Sequence, residues 1–266
     1  MKNICLLLLL LLLLSGCSSA SKPPEEARKE LGQMNIQYNE AAFIDSARNG
    51  DIVALNLFLT AGMDPNARDS LGRLASDFVS KKVNANIEFK EALNQQIRAD
   101  RSRGTTALMA ATIMGRVDIV KTLLQKAVDL NAEDRVDMTA LSYAVWKNDT
   151  QLTNLLLQAG ANPNAGKEPN AIMLAVMERN EDIIRAMIEA GADVNSRYPK
   201  GHTLLMLATD SHLTNTVKLL LDKGADVNGS NAEGKTALKI ATEKGFTDII
   251  DILKQHGANN APIYGG

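Results

Sequence analysis

The side chains able to carry catalysis are few and scattered. The chain has only three histidines, His202, His212 and His256, and its two cysteines, Cys5 and Cys17, both fall in the first seventeen residues. Covalent or acid–base catalysis needs a nucleophile, a base and an orienting group that converge. No Gly-x-Ser-x-Gly elbow, no phosphate-cradling glycine loop and no His/Cys metal spacing occurs. His202 lies beside a loop glycine and His212 stands where another segment has Gly115. Asp193 and Asp226 resemble paired acids only until their spacing is measured. They recur with a period, which marks them as loop residues, so the sequence speaks against an enzyme.

That period organises the chain. Gly160-Ala161-Asn162-Pro163-Asn164, Gly191-Ala192-Asp193-Val194-Asn195 and Gly224-Ala225-Asp226-Val227-Asn228 are one phrase repeated. Its glycine also falls at Gly62 and Gly257, and Ala127 replaces it once, giving successive gaps of 65, 33, 31, 33 and 33. A period near 33 identifies a solenoid. Upstream, Thr106, Thr139, Thr203 and Thr236 each open a short apolar run, as N-cap residues do. A second apolar block follows, such as Val117–Leu124 or Ile249–Leu253, with one buried stripe at i, i+3, i+4. The glycine then ends the second helix in a left-handed C′ position.

These motifs resemble the ankyrin repeat family. The resemblance rests on Thr-Ala-Leu-x-x-Ala helix starts, inter-helix glycines such as Gly50, Gly115 and Gly245, paired leucines and Gly-Ala-Asp-x-Asn, and it runs from about residue 39 to 261. It implies an all-α solenoid of helix-turn-helix units joined by short hairpin-like loops. The units are 39–68, 101–133, 134–166, 167–197, 198–230 and a polar capping unit at 231–261. The histidine that the family places after the leucine is replaced by Met109, Ser142, Met173, Met206 and Lys239, removing that helix-start donor.

Two places break the pattern. The gap of 65 is nearly twice 33, so a further unit is expected within 69–100, either a divergent repeat or a helical insertion. Its helix-compatible runs are Ala75–Val83 and Ile87–Ala99. The 31-residue unit has a shortened loop with Pro169, which predicts a stubby finger.

The N-terminus gives an address. Lys2 precedes eleven apolar residues, Ile4–Leu14, and then Ser15-Gly16-Cys17, a run too short to span a bilayer. Leu14-Ser15-Gly16-Cys17 resembles a bacterial lipobox, which implies removal of 1–16 and acylation of Cys17. Ser18 after the cysteine resembles the sorting pattern for the periplasmic side of the outer membrane. Residues 17–38 read as a lipidated polar tether. Initiation at Met34 would instead produce a complete, unanchored cytoplasmic solenoid.

Composition limits the partners. With 29 basic and 31 acidic residues the net charge is −2, so no broad positive field exists for nucleic acid. No cofactor or metal is implied beyond the lipid on Cys17, and the free chain is expected to be a monomer. The ankyrin resemblance places the binding face at two slots ending each first helix: Ile113 and Met114, Trp146 and Lys147, Met177 and Glu178, Asp210 and Ser211, Glu243 and Lys244. Loop fingers add Arg101, Arg103, Arg135, Met138, Lys167, Glu168, Tyr198, Lys200, His202, Glu233 and Lys235. Ile113, Met114, Met177 and the only tryptophan, Trp146, suggest an apolar anchor for a protein partner, with Tyr143 one turn earlier in the core. Exported ankyrin lipoproteins resemble immunity proteins of type VI secreted phospholipase effectors. The alternative is an envelope scaffold that protects another periplasmic protein.

Overall fold

The computed structural model describes residues 22–69, 104–166 and 170–259. Helix formation starts from the caps. Thr106, Thr139, Thr203 and Thr236 accept the amides of Met109, Ser142, Met206 and Lys239, and Asn170 does the same for Met173. These caps open α4 (Ala107–Ile113), α6 (Ala140–Trp146), α8 (Ala171–Met177), α10 (Leu204–Asp210) and α12 (Ala237–Lys244). No histidine is needed; at α4 the Met109 sulfur accepts the Thr106 amide and completes a capping box. The equivalent first helix of the opening unit is α2 (Glu40–Asn49), capped by Asn39.

Each first helix turns into a second helix: α3 (Ile52–Thr60), α5 (Val117–Leu124), α7 (Thr150–Gln158), α9 (Glu181–Glu189), α11 (Thr214–Asp222) and α13 (Thr247–Gln255). The turn requires positive φ. Gly50, Gly115 and Gly245 supply it, while Asn148, Arg179 and His212 adopt it at φ 59, 58 and 54 despite carrying a Cβ. The first helices pack in series, α2 on α4, α4 on α6, α6 on α8, α8 on α10 and α10 on α12. Their small and aliphatic faces, including Ala110, Ala144, Ala175, Ala208 and Ala241, form one continuous core.

The polar phrase after the glycine works as a stitch between units. Asn164 donates to Gly191 O at 2.9 Å and accepts from Asp193 N at 2.8 Å; Asn195 and Asn228 repeat the pattern on Gly224 and Asp226, and on Gly257 and Asn259. Asp193 and Asp226 meanwhile accept the amides of Asn195 and Asn228 two residues on. Their carboxylates therefore hold loops.

The same stitch joins the units on either side of 69–100, where the expected divergent repeat or helical insertion falls outside the described residues. Asn66 donates to Ala127 O at 2.9 Å and accepts from Asp129 N at 2.6 Å, so the first unit is sewn directly to the one containing α4 and α5. Strand β1 (Arg68–Asp69) pairs antiparallel with β2 (Thr105–Thr106) in the register Arg68↔Thr106. Ordinary fingers close with the bridges Arg197↔Thr203 and Ser230↔Thr236. Paired positions are thus 38 residues apart in the first finger against 6 in the others, and the excess of 32 equals the excess of 65 over 33. Asp69 and Gly104 therefore come together at the base of that finger. The runs Ala75–Val83 and Ile87–Ala99 lie outside the described residues. Gly104 closes this base: a Cβ there would stand 1.9 Å from Asp69 O.

One correction concerns the tether. Pro24–Gln33 is a helix, α1, with proline at its start and Ala27 and Leu31 fully buried against α3. Its end copies the end of α3. Asn35, at φ 59, donates to Gly32 O and Ile36 to Leu31 O, just as Gly62 donates to Leu59 O and Met63 to Phe58 O. Arg28 lies 4.6 Å over the Tyr38 ring and, like the Tyr38 hydroxyl, donates to Ala61 O. α1 thus sits in the position of a second helix and caps the α3 face of the stack. Its polar residues hide a stripe of two apolar positions, so composition alone reads as tether. A product initiated at Met34 would lack this cap and would not be a complete solenoid.

Candidate functional site

The face under test is the row where the first helices end. Met177, last residue of α8, is 63% exposed, and Met114, at the C-cap of α4, is 42% exposed. Trp146 ends α6 half-buried against the core, its ring 6.4 Å from that of the buried Tyr143. Met173, one turn before Met177, is half-exposed on the same helix. Its helical spacing from Met177 was the signal that could have found it. Soft, flexible methionines around an aromatic ring suit an adaptable apolar contact.

Ile113 is not part of this surface, and its placement there is corrected. It is 2% exposed because its side chain belongs to the continuous core, and Lys147 of the next unit donates to its backbone O. Lys147 is half-buried by the same contact. Glu178, at the C-cap of α8, is exposed. In the next units, Asp210 is exposed and meets Lys244 at 2.7 Å, with Ser211 half-buried beside it. Glu243 meets Lys235 at 3.1 Å, and that hydrogen-bonded carboxylate raises the Lys235 pKa. The row therefore changes character along the stack, from apolar to ion-paired.

The fingers divide similarly. Lys200 is exposed at the tip Pro199–Gly201, and Glu233 is exposed in the last finger, where His202 and Lys235 are part-buried at the bases. Two finger assignments are corrected. Tyr198 is 4% exposed: its amide closes the finger on His202 O, and its ring turns inward with the hydroxyl 3.4 Å from the Asn170 side chain. Arg135 is 9% exposed, in a finger that adjoins the β1–β2 base through Arg68, which donates to Glu133 O at 2.8 Å. Met138 beside it is half-buried. Arg101, Arg103, Lys167, Glu168 and Cys17 lie outside the described residues.

Beneath that finger sits a buried polar pair that the sequence reading missed. Asp134 accepts the amides of Val136 and Met138 at 3.0 Å each and the Tyr143 hydroxyl at 2.5 Å. Burial pushes the Asp134 carboxyl above its usual range despite these donors, and burial beside that carboxylate pushes the Tyr143 phenol well up. The position was legible in outline, since Asn231 closes the last finger by accepting Glu233 N and Lys235 N. At the opposite edge, His212 stacks on Phe246 with centroids 4.0 Å apart and bonds Asp248, which Thr214 also reaches at 2.6 Å. The Thr214 and His212 hydrogen bonds lower the Asp248 pKa to about 2. Among the described residues no group of three or more His, Cys, Asp or Glu could hold a metal, and no helix is long and apolar enough to cross a membrane.

Fold and face together define a protein-binding module built from stacked helix pairs. The family model described as ankyrin repeats in three copies matches residues 43–134, 86–167 and 172–262. The chain belongs to the ankyrin repeat family. It is similar to an ankyrin repeat-containing protein of Treponema pallidum (strain Nichols), 32% identical over 141 residues, which are 52% of this chain and 47% of that protein. It is also similar to human neurogenic locus notch homolog protein 2, 31% identical over 126 residues, 46% of this chain and 5% of that protein. The chain thus spans about half the length of the first of these relatives and far less of the second. Among solved structures it resembles a chain in the complex of the Bd0816 predatory endopeptidase from Bdellovibrio bacteriovorus with immunity protein Bd3460. The TM-score is 0.57 at 26% identity, covering 80% of this chain and 96% of that one.

Proposed function

We propose that this protein is an exported, lipid-anchored immunity protein that binds and silences a secreted hydrolase by covering it, without chemistry of its own. The carrying observation is the exposed apolar end of the first-helix row, Met177 and Met114 flanking Trp146. Such side chains favour burial against a partner. The address in the leader and Cys17 puts that partner at the periplasmic side of the outer membrane. With α1 folded onto the stack, only the seven residues Cys17–Pro23 remain as tether, reaching at most about 24 Å when fully extended. A target working at the lipid surface, a type VI secreted phospholipase, fits this short leash.

A second reading takes the target to be an endopeptidase. It is supported by the similarity to a chain from an endopeptidase–immunity protein complex. One experiment serves both readings. The chain would be expressed in cells that export either a phospholipase effector or an endopeptidase effector encoded beside it, and survival compared with that of a Cys17→Ala variant. Rescue from the phospholipase that depends on Cys17 supports the first reading, and rescue from the endopeptidase alone replaces it. Absence of rescue, with recovery of a housekeeping envelope protein on affinity capture, would leave the scaffold alternative standing.

A further inference from the structure

Glu178 breaks a local rule at the centre of the proposed face. It occupies the C-cap of α8, where the unsatisfied carbonyls and helix dipole disfavour an anion. The equivalent position, one residue before the inter-helix turn, holds Asn49, Met114, Lys147, Ser211 and Lys244 in the other units, two of them cations that suit the dipole. Nearby carboxylates are neutralised within the chain, Asp210 by Lys244 and Glu243 by Lys235. Glu178 is exposed and has no side-chain hydrogen bond or ion pair among the described residues, and the adjacent Arg179, held in the left-handed turn, does not pair with it. The most exposed large apolar side chain among the described residues, Met177, precedes it directly.

We infer that the partner brings a cationic side chain, specifically an arginine, to Glu178, together with an apolar side chain that packs on Met177; this rests on the binding face proposed above. Charge complementarity selects the cation, since an anion or a second apolar group would leave the carboxylate uncompensated when the face is covered. Arginine suits the slot better than lysine because its guanidinium is more weakly hydrated and engages a carboxylate through two parallel donors. Pairing at Glu178 also removes the unfavourable interaction with the helix end, so part of the attraction is already stored in the free protein.

The test uses short random peptides displayed on phage and selected against the full chain, its Glu178→Gln variant and its Met177→Asp variant. The expected result is enrichment of peptides that pair an arginine with a neighbouring apolar residue. Their binding should fall about tenfold on Glu178→Gln and weaken more steeply with salt on the native chain than on that variant. Peptides that lose binding to Met177→Asp but are indifferent to Glu178→Gln would overturn the arginine inference and leave the face intact. Peptides indifferent to both changes, or no enrichment at all, would overturn the inference and the face together.

Discussion

Helices α6 and α8 end differently from α10 and α12. The central pair presents Trp146, Met177 and an unneutralised Glu178; the later pair presents Asp210, Glu243 and Lys244 in ion pairs closed within the chain. Backbone geometry is the same in both, so the difference lies only in what the side chains have already satisfied. A surface whose charges are paired gains little from being covered, and one with exposed sulfur and an isolated carboxylate has free energy left to gain. The proposed binding face accordingly takes in the central units and leaves the last two as scaffold.

The support beneath the central units is the largest effect to test. Asp134→Ala would remove the buried acceptor shared by the Tyr143 hydroxyl and two finger amides, costing about 3 kcal/mol of stability in chemical denaturation. An unchanged midpoint would mean that this finger is not part of the cooperative stack. Next in size, Met177→Asp should weaken capture of the partner by about 2 kcal/mol while leaving the melting temperature in place, because Met177 is mostly exposed. Trp146→Ala should lower both affinity and melting temperature, since its ring is half-buried; a loss of melting temperature alone would move it wholly to the core. Smaller still, Lys244→Ala should cost below about 0.5 kcal/mol and leave affinity unchanged, as exposed pairs do. Any loss of binding there would extend the functional face into the scaffold.

Acid should separate the two regions with opposite signs. Asp134 has a raised folded pKa, so the native state holds its proton more tightly than the unfolded chain, and this group's contribution to stability grows as pH falls. Asp248 has a folded pKa lowered to about 2, so its contribution is present above the ordinary carboxylate range and is lost as pH drops from about 4 towards 2. Hydrogen exchange at pH 3 should therefore show α13 and the His212–Asp248 contact opening before α6. The reverse order would remove the distinction.

Much of the scaffold was legible because its determinants are local. Thr106, Thr139, Thr203 and Thr236 cap helices wherever they stand, and Gly191 or Gly224 terminates one for reasons written in its own φ. Asp193 and Asp226 were rightly read as loop residues, since an Asx turn needs only two further residues. The site was less legible. Ile113, Tyr198 and Arg135 were assigned to the surface by register, yet whether a register position is open depends on what the neighbouring unit lays over it. Lys147 over the end of α4 is a contact 34 residues distant. The polar stretch Pro24–Gln33 hid a capping helix because two buried positions, Ala27 and Leu31, suffice once α3 offers a face.

By itself the sequence determined the repeat, its period, its helix boundaries and the scarcity of catalytic groups, all of them properties of short segments with fixed spacing. Only the tertiary structure decided that the first unit is joined directly to the one holding α4 and α5, that α1 packs on α3, and that Met177 and Glu178 remain uncovered. Those outcomes depend on which surfaces meet. Exposure is set by neighbours distant in sequence, and a local pattern carries no record of them.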